Sequence, residues 1–254
     1  MDIRTDLALE ARESYAGTNV EIPGVILKKE GSKKNLSITK VIIKDEQGAK
    51  AMGKPMGNYI TIEAPQLIED VGFDENDLIN DLSEQIKGLI KNYKKILVVG
   101  LGNRDATPDS LGPRTVEKLN IFTDKAWEIQ AIAPGVMAQT GMETASIIKA
   151  IVKEMKPDIA IVIDSLAARS IKRLITSIQI SDTGISPGSG VRNHRQGLCY
   201  DTLGIDVIAL GIPTVIELVD TSIKELFVTP KDIDEHINTL TEIISKALNK
   251  IWTN

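Results

Sequence analysis

Short stretches that alternate apolar and polar residues fill the first 75 positions of the chain. "GVILKKE", "LSITKVIIKD" and "NYITIEAP" each carry apolar side chains at every second place, the period of a half-buried strand. Between them, "GSKKN", "DEQGAK" and "GKPMGN" read as turns. The period then changes. From Asn76 to Lys94, Leu78, Ile79, Leu82, Ile86, Leu89 and Ile90 recur every three or four residues. That spacing predicts an amphipathic helix with Asn76 as its N-cap.

From residue 95 the pattern changes again, to unbroken apolar runs. "KILVVGLG" reads as a strand covered on both faces. A helix is expected near Asp109–Leu119, with Pro113 in its first turn, where the missing N–H costs little. "WEIQAIAPG" predicts a second strand. "METASIIKAIVKEMKP" predicts a helix with Ile147, Ile148, Ile151, Val152 and Met155 on one side, stopped by Pro157. "DIAIVID", "SIQI" and "GIDVIALGIP" predict three more strands. A last helix over Lys231–Trp252 places Ile237, Leu240, Ile244, Leu248 and Ile251 on one face. Strand and helix alternate. The expected fold is one α/β domain spanning 1–254, with a twisted, mostly parallel sheet and helices on both faces. The N-terminal strands extend a sheet edge or form a small cap.

Composition narrows the function. With 254 residues, 42% hydrophobic and 26% charged, the chain can bury a substantial core. Aromatics are only 4%, so that core rests on Ile, Val, Leu and Ala. The net charge of −5 argues against direct nucleic-acid binding, which needs a basic face. A lone cysteine, Cys199, excludes an intrachain disulfide and fits a reducing interior. The start, "MDIRTDLALEARE", lacks an apolar signal core, and no stretch approaches the roughly 20 apolar residues of a membrane span. A cytoplasmic protein without membrane contact is expected.

The loop "GLGNRDATPDSLGP", Gly100 to Pro113, carries the candidate chemistry. Gly100 and Gly102 match a dinucleotide fingerprint, but Asp105 stands where the third glycine belongs. A carboxylate there repels pyrophosphate. No Gly-Lys-Ser/Thr follows, so a P-loop fails too. The carboxylate reading gains from position. Asp109 follows one strand, Asp164 directly follows "IAIVI", and the functional crevice of an open α/β sheet lies beyond the strands' carboxyl ends. Two carboxylates in one site do not both ionise easily, which supplies an acid and a base for water attack on a peptide carbonyl. Taken singly, each aspartate also fits an N-cap or a turn, and both readings stand at this point.

Other candidates are weaker. His194 lies in a loop and His236 on the last helix, where no function is expected. A metal site of Asp109, Asp164 and His194 is the alternative, although no HExxH or tight ligand cluster supports it. No cofactor motif is present. Ser189 in "GISPGSGVR" lacks the nucleophile-elbow pattern. Cys199 borders an apolar strand and reads as an inert thiol. Arg169, five residues past Asp164, is placed to hold a carboxylate bidentately.

Five long motifs decide more than any single loop. "VVGLGNRDATPDSLGP", "IAPGVMAQTGMETASIIKAIV", "IVIDSLAARS", "ISDTGISPGSGV" and "VIALGIPTVIE" together resemble the germination protease family of endospore-forming bacteria. "RTDLALEARE" and "LFVTPKDIDEHI" extend the likeness, in colinear order, from residue 4 to about residue 250. The resemblance implies an endopeptidase that degrades small acid-soluble spore proteins at germination, in the cytoplasm of the spore core. It implies a single α/β domain similar to hydrogenase-maturation proteases. It implies an atypical aspartic peptidase without a cofactor, whose essential pair falls here on Asp109 and Asp164. It also implies a homotetramer made as a zymogen that trims its own N-terminus. Gly102, Asn103 and the backbone around Ser189 are then candidate donors to substrate, with Arg169 beside them.

The chain departs from the family pattern in places. Ser110 and Ser165 follow the two aspartates where alanine is expected, and each adds a hydroxyl able to reach a carboxylate. "GVRNHRQG" brings in His194, and the segment between "IPTVIELVD" and "LFVTP" is short. The chain begins close to "RTDLA", so little or no leader is expected for removal. A metal-dependent peptidase and a non-catalytic binding module on the same fold are the alternatives.

Overall fold

The computed structural model describes residues 5–16, 21–30, 36–69, 74–90, 92–185, 196–218 and 226–253. The alternating stretches form β1 (Val25–Glu30), β2 (Ser37–Ile43) and β3 (Gly57–Glu63), an antiparallel meander with Val25 opposite Ile43 and Ser37 opposite Glu63. Helix α1 (Ala8–Ala16) precedes them. The expected turn "DEQGAK" is instead helix α2 (Glu46–Met52), because Asp45 caps it by accepting the Gly48 N–H at 2.8 Å. After the short α3 (Gln66–Glu69), helix α4 (Glu75–Ile90) takes the predicted apolar stripe. Its start is held by Asp74 and not by Asn76: the Asp74 carboxylate accepts from the Asn76 N–H at 3.0 Å.

The second half alternates as expected. It contains β4 (Lys95–Gly100), α5 (Leu111–Val116), β5 (Glu128–Ile132), α6 (Met137–Thr140), α7 (Thr144–Met155) and β6 (Ile159–Ala168). Then follow β7 (Ser177–Ser181), α8 (Tyr200–Leu203), β8 (Asp206–Leu218), β9 (Leu226–Val228) and α9 (Ile233–Thr253). Among the described residues nine strands join one sheet in the order β1-β2-β3-β7-β8-β6-β4-β5, with β9 on β8. Only β8-β6-β4-β5 run parallel. The expectation of a mostly parallel sheet holds for that half. Over the whole sheet antiparallel ladders predominate, because β7 turns back between β3 and β8 and joins the N-terminal meander to the parallel strands.

The parallel half is buried on both faces, which is why its strands read as continuous apolar runs. Ile96 and Val98 of β4, with Ile161, Ile163, Ile208 and Leu210, pack under α4, α5 and α9. Leu97 and Val99, with Ala160, Val162 and Val207, pack under α7 and α8. Each fully buried Leu or Ile contributes about 1.5–3 kcal/mol, so these two layers dominate stability. On α7 the buried stripe is Ala145, Ile148 and Val152, while Met155, expected on it, is exposed.

Strand order sets the site. From β4 the chain crosses to β5 on one side, then returns to β6 on the other. The connections that follow β4 and β6 therefore run to opposite sides, the arrangement in which a crevice is expected at the carboxyl ends of these strands.

Candidate active site

The glycines of the opening loop serve close packing. A Cβ on Gly100 would lie 2.3 Å from the Gly112 carbonyl oxygen. One on Gly112 would lie 2.5 Å from the Leu101 nitrogen and 2.6 Å from the Ile163 oxygen. The first turn of α5 therefore sits directly on the junction of β4 and β6. Beyond β4 the Leu101 N–H still bonds to the Ile163 carbonyl, at 2.8 Å. The loop thus passes beside the residue that follows Ile163, which is Asp164.

Asp109 ends a 3-10 turn, Thr107–Asp109, in this loop. Ser110, not Asp109, occupies the N-cap position of α5. The Asp109 carboxylate turns back and accepts the Asn103 N–H at 2.7 Å. The close approach requires Gly102, which has φ +113° and whose Cβ would stand 1.9 Å from the Asp109 carbonyl oxygen. The Asn103 side chain accepts from the Asp105 N–H at 3.0 Å and from Gln139 of α6 at 2.8 Å, tying the loop after β5 to the loop after β4. The Thr107 hydroxyl donates to Asp234 of α9 at 2.9 Å.

Asp164 is not at a strand end. It lies inside β6, which runs on to Ala168 against β8 after β4 has stopped at Gly100. On that side the loop takes the place of a neighbouring strand. Asp164 shares a face with Ala160 and Val162 and is 6% exposed, so it is buried in the sheet. Its Oδ1 accepts the Ser165 N–H at 2.9 Å. Neither following serine puts its hydroxyl on a carboxylate. Ser110 donates to the Thr107 carbonyl at 2.8 Å, and Ser165 Oγ, on the opposite sheet face, is buried without a hydrogen-bond partner.

The germination protease family profile matches residues 3–224. The chain belongs to the germination protease family. It is 47% identical to the germination protease of Caldanaerobacter subterraneus subsp. tengcongensis, over 92% of this chain and 76% of that protein. It is 37% identical to the germination protease of Clostridium perfringens, over 98% of this chain and 94% of that one. A crystal structure of a NiFe hydrogenase maturation protease from Thermococcus kodakarensis superimposes with TM-score 0.41 at 20% identity, covering 65% of this chain and 98% of that one. As a family member the protein is a peptidase. Among the described residues, no helix is long and apolar enough to cross a membrane.

In this chain the remaining sequence candidates are dispersed. Arg169 is exposed, one residue past the end of β6 and roughly 17 Å of strand from Asp164 at 3.3 Å per residue. Its N–H donates to Glu10 at 3.1 Å. The Asn103 N–H is committed to Asp109 and so does not face a substrate. Ser189 and His194 lie outside the described residues. Among the described residues no cluster of three metal-ligating side chains occurs. Cys199 precedes α8, half-buried, and follows Leu198, which forms an isolated antiparallel bridge with Ile185. His236 is half-buried and sits 3.4 Å from Asp232.

Sequence reasoning missed a brace built from the N-terminal segment. Asp6 accepts the Ala167 N–H at 3.0 Å, and Glu10 accepts from Arg169 and Ser170, which fastens the far end of β6. Gln179 of β7 reads the same segment through its backbone, donating to the Asp6 carbonyl at 3.0 Å and accepting the Ala8 N–H at 2.6 Å. Lys54 Nζ donates to the carbonyls of Thr5 and Asp6. Burial pushes the Lys54 ammonium below its usual pKa, against the opposing pull of Asp6 and Glu10. Two carboxylates four residues apart in "RTDLALE" were the available signal, but their targets lie about 160 residues away.

Proposed function

We propose that this germination protease is an endopeptidase of the aspartic type that hydrolyses small acid-soluble spore proteins in the cytoplasm of the germinating spore core, with Asp109 and Asp164 activating the water. The observation that carries this reading is the convergence of the two carboxylate-bearing segments on one crevice. The loop holding Asp109 leaves β4 beside β6, where the Leu101 N–H bonds the Ile163 carbonyl one residue before Asp164, and the Asp109 carboxylate accepts the Asn103 N–H.

The chemistry follows from two carboxyls sharing one proton. The ionised carboxylate takes a proton from water as the water oxygen bonds to the peptide carbonyl carbon. The protonated carboxyl gives its proton to the amide nitrogen as the C–N bond breaks. The net result is one carboxylic acid and one amine, with the pair's single proton restored. Neither a cofactor nor direct nucleic-acid contact enters this scheme. A homotetramer made as a zymogen accompanies the reading, carried from the family resemblance; sedimentation and N-terminal sequencing of the active protein test it.

Asp109→Asn and Asp164→Asn keep the shape and remove the proton chemistry. Each is expected to lower kcat on a purified spore protein by about 10³-fold or more while thermal unfolding stays near the parent's. If either variant turns over like the parent, the assignment fails. Exhaustive chelation separates the metal-dependent alternative: parent activity that survives it belongs to the carboxyl pair alone.

A further inference from the structure

β8 carries a defect in its pairing with β6. Leu166 lies opposite Pro213, but Ala167 lies opposite Val215, which leaves Thr214 as an extra residue. Such bulges re-aim a side chain and recur beside active sites. Here the bulge turns Thr214 inward. The side chain is fully buried, and its hydroxyl donates to the Pro108 carbonyl at 2.6 Å, across 106 residues of sequence. Pro108 immediately precedes Asp109. The bulge itself is pinned from both sides: Ile175 N–H donates to the Pro213 carbonyl at 2.8 Å, and the Thr229 hydroxyl to the Thr214 carbonyl at 2.8 Å.

We infer that Thr214 is a positioning residue for Asp109. The inference rests on the proposed role of the two aspartates. Besides its own N–H bond to the Ala106 carbonyl at 2.8 Å, Asp109 has its carboxylate held by the Asn103 N–H and its backbone, one residue upstream, by the Thr214 hydroxyl. The Thr214 hold comes from the strand that also frames Asp164, since Gly211 of β8 pairs with Asp164 three residues before Thr214. One strand thereby fixes both carboxyl-bearing segments to a common frame. A β-branched residue suits a strand, and valine would fill the same space. The hydroxyl is what links β8 to the turn.

The test compares Thr214→Val, Thr214→Ser and Asp109→Asn in the full chain on a purified small acid-soluble spore protein. Thr214→Val removes only the hydroxyl, frees the turn, and is expected to lower kcat by about 10–100-fold, the scale of a 1 Å misplacement. KM is expected to stay within about twofold, because substrate contacts are untouched. As Asp109 drifts from the Asn103 N–H, the ionised form loses support, so the limb of the kcat–pH profile governed by Asp109 moves to higher pH. Thr214→Ser restores the hydroxyl and is expected to recover kcat and the profile. The inference is overturned if Thr214→Val keeps the parent's kcat and pH profile. It is also overturned if Thr214→Ser is impaired as much as Thr214→Val, since volume would then be the cause. If Asp109→Asn is inactive while Thr214→Val is normal, only the positioning role falls. If Asp109→Asn is fully active, the two-aspartate reading falls and the positioning role falls with it.

Discussion

The two halves of the sheet use their strands differently. In the parallel half, β5-β4-β6-β8, strands point the same way and their following loops gather at one edge. Asp109 arrives from one such loop, and Asp164 lies on β6 just past the point where β4 stops pairing with it. In the antiparallel half, β7-β3-β2-β1, successive loops leave at opposite ends, so no crevice forms of the kind that parallel strands make. That half contributes bracing: Gln179 and Lys54 hold the N-terminal segment, whose Asp6 and Glu10 grip the end of β6. Chemistry and support are therefore segregated by strand direction. Substitutions in the two halves should differ in kind, with activity most sensitive in one and stability in the other.

The largest effect is expected at the junction of β4, β6 and α5. Gly112→Ala places a methyl 2.4 Å from the Leu101 carbonyl oxygen and 2.6 Å from that of Ile163, both rigid backbone. Overpacking of this kind costs about 3 kcal/mol or more when backbone must move. Chemical denaturation should show that loss, and the surviving folded protein should have little activity, because the loop carrying Asp109 must shift. A variant as stable and active as the parent would show that the junction is loose.

Glu10→Ala tests the brace. It strips hydrogen bonds from Thr5, Arg169 and Ser170 and weakens a buried cluster in which Arg173 also meets Glu13 and Glu63. Because Arg173 keeps two carboxylates, the cost is expected at about 2–3 kcal/mol and not the full penalty of an orphaned charge. Activity per folded molecule should stay close to the parent's, since β8 still pairs with β6 along Asp164. Loss of kcat without loss of stability would mean the brace reaches the site. The reverse sign is expected at Gly88, exposed in the last turn of α4, where an added Cβ meets nothing within 4 Å. Gly88→Ala should stabilise by about 0.5–1 kcal/mol, visible as a raised Tm with unchanged turnover.

The contrast also explains what the sequence made legible. Strands of the parallel half are unbroken apolar runs, and the meander alternates, so both periods could be read directly. Direction could not: "SIQI" looks the same whether β7 runs with its neighbours or against them. Helix α2 was hidden because "DEQGAK" has turn composition, and only the Asp45 cap and the packing of α1 on it reveal a helix. The two candidate aspartates were legible from their places after apolar runs and from the family motifs. The extent of β6 past Asp164 was not, because it depends on pairing with β8. Thr214 and Glu10 were illegible for the same reason: their partners lie 106 and about 160 residues away.

The smallest expected effect is a change of slope, and it probes the brace alone. Lys54 is half-buried with its ammonium on the Thr5 and Asp6 carbonyls, and desolvation of the ammonium lowers its pKa below the usual 10.5. As pH rises into the range between the lowered value and 10.5, the folded protein sheds this proton while the unfolded chain keeps it. The unfolded state then binds more protons, so stability due to Lys54 rises with pH. Tyr59 acts in the opposite sense. Burial pushes its hydroxyl up to about 12, so above about pH 10 the unfolded chain ionises first and stability falls. The two are separated by comparison with Lys54→Met across the alkaline range below pH 10, where Tyr59 is silent in both proteins. The stability of the parent relative to Lys54→Met should climb with pH in that range. A flat or falling difference would mean that Lys54 keeps its charge as easily inside the brace as in water, and that the N-terminal segment is not packed over it.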